Sequence, residues 1–160
     1  MEYKINIKTT QTDYKGKSIF DRAADELMIE ESFSMGDGDD TIETSLYGEM
    51  DSIGDTYILS YQEESEGMGG AFTEIKFDTR KPDEISISRT GAIETFMLFE
   101  KGKRHICVYN TGIMPFEICI YAKEVDNRIL TEGYLEIVYL IEIKGACAQK
   151  TVFKMELEKR

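Results

Sequence analysis

The chain has no tryptophan, only two prolines, a single histidine and three cysteines. Each shortage excludes something. Two prolines leave no proline-rich linker and no polyproline recognition segment. His105 with the scattered Cys107, Cys119 and Cys147 lacks the ligand spacing of a structural zinc site. An odd number of cysteines without a CxxC pair reads as free, partly buried thiols in a reducing cytoplasm. Cys107 and Cys119 flank the 111–116 turn nearly symmetrically, which would set them opposite one another in a hairpin, but two packed thiols remain the favoured reading. No apolar run approaches the ~18 residues of a membrane-spanning helix. The alternating start Met1-Glu-Tyr-Lys-Ile-Asn-Ile-Lys8 has no apolar stretch of the kind a secretory signal needs, so a cytoplasmic location is expected.

Positive charge is scarce as well. Lys and Arg number 19 against 31 Asp and Glu, a net charge of −12. An acidic surface repels nucleic-acid phosphates and anionic membranes, so neither is expected as a partner, and the same charge serves solubility. Hydrophobic residues at 41 % and charged residues at 31 % are ordinary for a globular protein. A chain of this length fits one domain, 1–160, that buries roughly 70 % of its unfolded surface. No repeat appears at solenoid or propeller periods.

What is present is alternation. Over residues 2–12, Tyr3, Ile5 and Ile7 fall on one face and Lys4 and Lys8 on the other, a half-buried first strand. Residues 18–31 change period, with Ile19, Phe20, Ala23, Ala24, Leu27 and Met28 at helical spacing. Ser18 and Asp21 resemble a capping box, so the spacing predicts one short amphipathic helix, about 18–33, inserted between the first two strands. The acidic turn Met35–Asp40 fails as a calcium loop: Ile42 stands where the central glycine belongs and Gly48 where a bidentate glutamate belongs. From Thr41 the pattern predicts strands at 41–51, 55–64, 71–78, 84–90, 93–100, 104–110, 116–125, 131–144 and 147–158, with Gly, Pro, Asp and Asn turns between them. Phe116, Ile118, Ile120 and Ala122 oppose polar neighbours; so do Leu135, Ile137 and Tyr139, with Glu136 and Glu142 on the wet side, and Phe153, Met155 and Leu157. About 8–10 strands on hairpin-length loops predict an all-β, antiparallel up-and-down meander that closes into a barrel to remove its edges.

Tyr61-Gln-Glu-Glu64, Arg89-Thr-Gly91, Met97-Leu-Phe-Glu-Lys-Gly102 and Tyr109 before a Thr-Gly turn, in that order, resemble the YwiB-like family of small bacterial domains of unknown function. The resemblance spans nearly the whole chain and implies a calycin-like (lipocalin-like) β-barrel, without implying an activity. Against that family, residues 18–31 look like an insertion, and Thr111-Gly-Ile-Met-Pro-Phe116 replaces a Thr-Pro-aromatic-Gly turn.

No catalytic set emerges from the residues, so the chain is not expected to be an enzyme and no cofactor is expected. His105 and Cys107 share a face yet stand about 6.6–6.8 Å apart along a strand, with no orienting third group. No nucleophile elbow is present, and Gly67-Met-Gly-Gly70 lacks the Lys-Ser/Thr of a phosphate loop. What remains is polar residues on inward rows: Tyr61 and Glu63 follow Tyr57 and Leu59, and Arg89 follows Ile85 and Ile87. An inward guanidinium requires a partner. Glu63 is the first choice and Glu64 the second, with Tyr61 or Tyr109 meeting the remaining donors. Three readings follow. The pair plugs one barrel end, Arg89 anchors a carboxylate or phosphate in a mostly apolar pocket, since eight-stranded barrels have room for one small ligand, or Arg89 is an exposed arginine at the rim. The expected function is a cytosolic, non-catalytic binder of a small apolar or amphipathic anionic molecule, with Arg89, Tyr61, Glu63 and Tyr109 as its ligand-binding residues. The alternative is a solid-core interaction or scaffold protein that acts through its surface or self-associates, most simply as a homodimer.

Overall fold

The structure is a computed structural model that describes residues 1–13, 39–63, 71–91, 94–110, 115–143 and 146–160. The helix expected over 18–33, the start of the acidic turn and the Gly67–Gly70 tip lie outside those residues. Ten strands run β1 Glu2–Asp13, β2 Asp39–Ile53, β3 Thr56–Gln62, β4 Phe72–Asp78, β5 Glu84–Thr90, β6 Thr95–Glu100, β7 Arg104–Asn110, β8 Pro115–Arg128, β9 Tyr134–Ile143 and β10 Ala146–Lys159. All their ladders are antiparallel, in the order β6-β5-β4-β3-β2-β1-β10-β9-β8-β7.

The first and last strands of the chain therefore lie side by side, paired from Tyr3 opposite Lys159 to Asp13 opposite Gln149. The two outer strands of the sheet, β6 and β7, are consecutive in the chain. Among the described residues no ladder joins them. The turn Lys101–Lys103 does: Lys103 N–H donates to the Glu100 carbonyl at 2.9 Å. β8 clasps that turn, with Gly102 N–H on the Ala122 carbonyl at 2.8 Å and Ala122 N–H on the Lys103 carbonyl at 3.2 Å. The result is an all-β, nearly closed antiparallel barrel, as the strand pattern predicts. No helix among the described residues is long and apolar enough to cross a membrane.

Alternation supplies the core. Leu59, Ile75, Ile85, Phe99, Ile120, Leu135, Ile137 and Met155 point inward and are fully buried, each contributing about 1.5–3 kcal/mol. Phe99 of β6 meets Tyr139 of β9 at 4.7 Å between ring centroids, and Tyr57 stacks on Phe77 at 5.6 Å. β6 and β9 are not neighbours in the sheet, so the first contact passes through the interior. The middle of the barrel is filled by side chains.

Three expectations are corrected. A plain turn at Asp126-Asn127 gives way to a longer β8 and a short helix, α1, Ile129–Glu132. Local bonds explain it: Asn127 Oδ1 accepts from Ile129 N–H at 3.2 Å, Arg128 binds both Asp126 and Glu132, and Gly133, at φ 65°, ends the turn. Cys107 and Cys119 do not face one another. Cys107 is opposite Ile118 and Ile106 opposite Cys119, which puts the two thiols on opposite faces. Glu142 is not on a wet face, being 2 % exposed beside the equally outward but buried Leu140. Arg104 Nε reaches Glu142 Oε1 at 3.1 Å, which compensates its buried charge.

Gly48 of β2 lies opposite Tyr61. A Cβ there would stand 2.6 Å from both Ile5 Cδ1 and the Ser60 carbonyl oxygen, and 3.1 Å from Tyr61 Cβ. Backbone cannot yield cheaply, so Gly48→Ala is expected to lower the urea-unfolding free energy by about 1–3 kcal/mol. A variant as stable as the parent would show that the close approach at Gly48 is not required.

Candidate functional site

Register builds the site. Tyr61 is opposite Thr73 across β3 and β4, Thr73 is opposite Arg89 across β4 and β5, and Arg89 is opposite Thr95 across β5 and β6. Leu59, Ile75, Ile87 and Met97, each two residues away, form a parallel row in the core. The period of two therefore aims Tyr61, Thr73, Arg89 and Thr95 inward as one polar row, one step above an apolar one. Directly opposed side chains in such a row have Cβ atoms ~4.5–5.5 Å apart. Glu63 follows at the end of β3, where its N–H donates to the Ala71 carbonyl at 2.8 Å.

The ion pair expected from the sequence is present. Arg89 Nη2 lies 3.5 Å from Glu63 Oε1, with the two side chains 31 % and 14 % exposed. It is a long contact to one oxygen, and it leaves much of the layer unmet. Arg89 Nε, Glu63 Oε2 and the hydroxyls of Tyr61, Thr73 and Thr95 are buried without a hydrogen-bond partner. A buried polar group left so typically costs about 1–3 kcal/mol. Burial pushes the Tyr61 hydroxyl well above the ordinary tyrosine range, and the neighbouring Glu63 carboxylate adds to the rise. Arg89 and Thr73 lie near enough to oppose that shift without reaching hydrogen-bond geometry with Tyr61. Tyr61 thus keeps its proton, and the layer carries one guanidinium and one carboxylate, with no net charge.

The structure brings Arg89, Glu63 and Tyr61 together. The backbone of Tyr109 lies on β7 opposite Phe116, while its side chain, like the whole of Glu64, lies outside the described residues. Thr73 and Thr95 were missed by sequence reasoning. Their signal is a threonine in the inward phase of an alternating strand (Thr73-Ile75-Phe77, Thr95-Met97-Phe99), which acquires meaning only with the pairing register. A second polar centre sits on the outer face of β7–β9, where Arg104 pairs with Glu142 and stacks 4.4 Å above the Tyr121 ring. His105 Nε2 lies 3.2 Å from Glu100 Oε1, at the turn joining β6 and β7. Lys103 binds the same carboxylate and, more than His105, holds it below the usual range.

The Tyr61 shift has a consequence for stability. An unfolded tyrosine loses its proton near pH 10, whereas folded Tyr61 holds its own longer. The associated stability is complete below about pH 10 and is lost as pH rises beyond it. Tyr134, raised to about 12 chiefly by its bond to Glu136, adds to the same fall. Urea midpoints measured from about pH 8 to 11 are expected to decline, and Tyr61→Phe is expected to decline less steeply. Equal slopes for the two proteins would contradict the assignment to Tyr61.

The family model described as "Domain of unknown function (DUF1934)" matches residues 28–155. Among solved structures, the crystal structure of the ywiB protein from Bacillus subtilis matches with a TM-score of 0.66 at 17 % identity, over 99 % of this chain and 94 % of that one. No curated protein matches. At that identity the structural likeness carries the barrel fold alone.

Proposed function

The chain belongs to the DUF1934 family, a domain of unknown function, and from that premise we propose that it is a non-catalytic binding module that takes the polar head of a small amphipathic, anionic molecule at the Arg89 layer. One observation carries the reading: five buried polar groups without partners share one inward layer around a guanidinium. A polar layer that only holds a core together is expected to satisfy its own members. This one leaves both halves of its ion pair partly unmet, on the barrel's inner face and open enough for Arg89 to remain 31 % exposed. Arg89 is the anchor, Tyr61, Thr73 and Thr95 line the head, and Glu63 holds the guanidinium in place. The filled rows beneath keep the head near the layer rather than deep in the barrel. The acidic surface favours a small molecule over nucleic acid or membrane, and the cytoplasm is the proposed setting.

A second reading has its own observation. Phe96, Ile106 and Val108 are 58 %, 70 % and 48 % exposed, on β6 and β7, the two outer strands, which no ladder joins among the described residues. That outer surface suits a scaffold role or self-association as a homodimer.

Native mass spectrometry of protein purified from its own host is expected to show a small-molecule adduct that Arg89→Met removes. Adduct-free protein together with a layer holding only water would overturn the binding reading. Sedimentation in which a weak dimer is lost on Ile106→Ser, with no adduct present, would favour the second.

A further inference from the structure

The unmet groups of the Arg89 layer do not call for a bare anion. Arg89 Nε can only donate, Glu63 Oε2 as a carboxylate oxygen can only accept, and the three hydroxyls can do either. A ligand that completes the layer therefore brings an acceptor and a donor together. The charge balance agrees. The layer already holds one positive and one negative group, with Arg89 Nη2 3.5 Å from Glu63 Oε1. A second full negative charge would lie beside Glu63 in partly desolvated space, with one guanidinium to serve both. Carboxylates forced to share a site relieve the repulsion by holding a proton between them. A phosphate head, with a charge of about −1.5 to −2 near neutral pH, would aggravate it.

From this donor and acceptor inventory we infer that the Arg89 layer takes a planar, uncharged head with a carbonyl-type acceptor beside an O–H or N–H donor: a carboxylic acid in its protonated form, or a primary carboxamide. The inference rests on the reading of this layer as a small-molecule binding site and replaces the anionic head of that reading with an uncharged one. The head's carbonyl oxygen faces Arg89 Nε and its O–H or N–H faces Glu63 Oε2. The hydroxyls of Tyr61, Thr73 and Thr95 take up the remaining lone pairs and protons. An acid that is anionic in solution arrives as carboxylate and is held with one proton drawn from solvent, which sits between the ligand head and Glu63. Among the described residues, the charged or titratable groups of the layer are Tyr61 of β3, Glu63 just past its end and Arg89 of β5, while Tyr3 of β1 lies opposite Gly48 and β7 buries the Cys107 thiol on the inner face. β2, β4 and β6 present Gly48, Thr73 and Thr95, which do not titrate.

Hexanoate, hexanamide and monohexyl phosphate make suitable probes, titrated into the full chain and read by calorimetry and by the backbone resonances of Thr73 and Thr95. Hexanamide is expected to bind with an affinity that does not change with pH. Hexanoate is expected to weaken about tenfold per pH unit between about pH 6 and 8, and buffers of different ionisation enthalpy are expected to report about one proton taken up per hexanoate bound. Glu63→Gln is expected to abolish that uptake while hexanoate still binds, and Arg89→Met to weaken every probe. Hexanoate binding without proton uptake, or monohexyl phosphate binding more tightly than hexanamide, would overturn the head-group inference and leave the binding reading standing. Resonances at Thr73 and Thr95 unmoved by all three probes at millimolar concentration would overturn both.

Discussion

The pairing of β1 with β10 is the constraint on which the rest of the barrel depends. A ten-stranded meander that did not bring its ends together would leave two long edges of unmet backbone donors and acceptors. Instead eleven consecutive residue pairs join the ends of the chain, and Arg160 adds a side-chain contact to Glu2 at 2.7 Å. This one ladder moves the open edges elsewhere, to β6 and β7, where a three-residue turn and the clasp from β8 hold the seam. Once the sheet curls, every strand has an inside, and the period of two decides which side chains occupy it.

The Arg89 layer is a by-product of that geometry. Four neighbouring strands each place a residue at the same height, and all four residues carry polar groups. Gly48, next in the row, admits Tyr61 only because it has no side chain of its own. Beneath them the rows turn apolar at once, with Leu59, Ile75, Ile87 and Met97. The sharp step from an apolar to a polar row matters for function, because it places unmet hydrogen-bonding groups where an amphipathic molecule can present its head. It also carries a cost in stability, since the same groups would be cheaper in water or fully paired.

Much of this was legible in the residues. Alternation located all ten strands to within a few residues, and the inward phase of Arg89 and Glu63 brought the ion pair into view. Thr73 and Thr95 escaped because a threonine in a strand is unremarkable until its cross-strand neighbour is known. Cys107 and Cys119 were matched by sequence symmetry about the turn, but the register is offset by one, which moves them to opposite faces. Glu142 alternated as an exposed residue and is buried, because both faces of β9 are covered from Tyr139 onward. α1 was hidden by the Asp-Asn turn signal, which the side-chain bonds of Asn127 and Arg128 converted into a helical turn.

The sequence by itself determined the strands, their two faces and the inward arginine, because a period of two and short turns are local properties that each strand carries alone. The tertiary structure decided which residues share a layer, that β1 meets β10, and that the Arg89 layer is left with groups unmet. Those outcomes depend on register between strands far apart in the chain, and a hydrogen bond is made or missed according to which distant residue arrives at the same height.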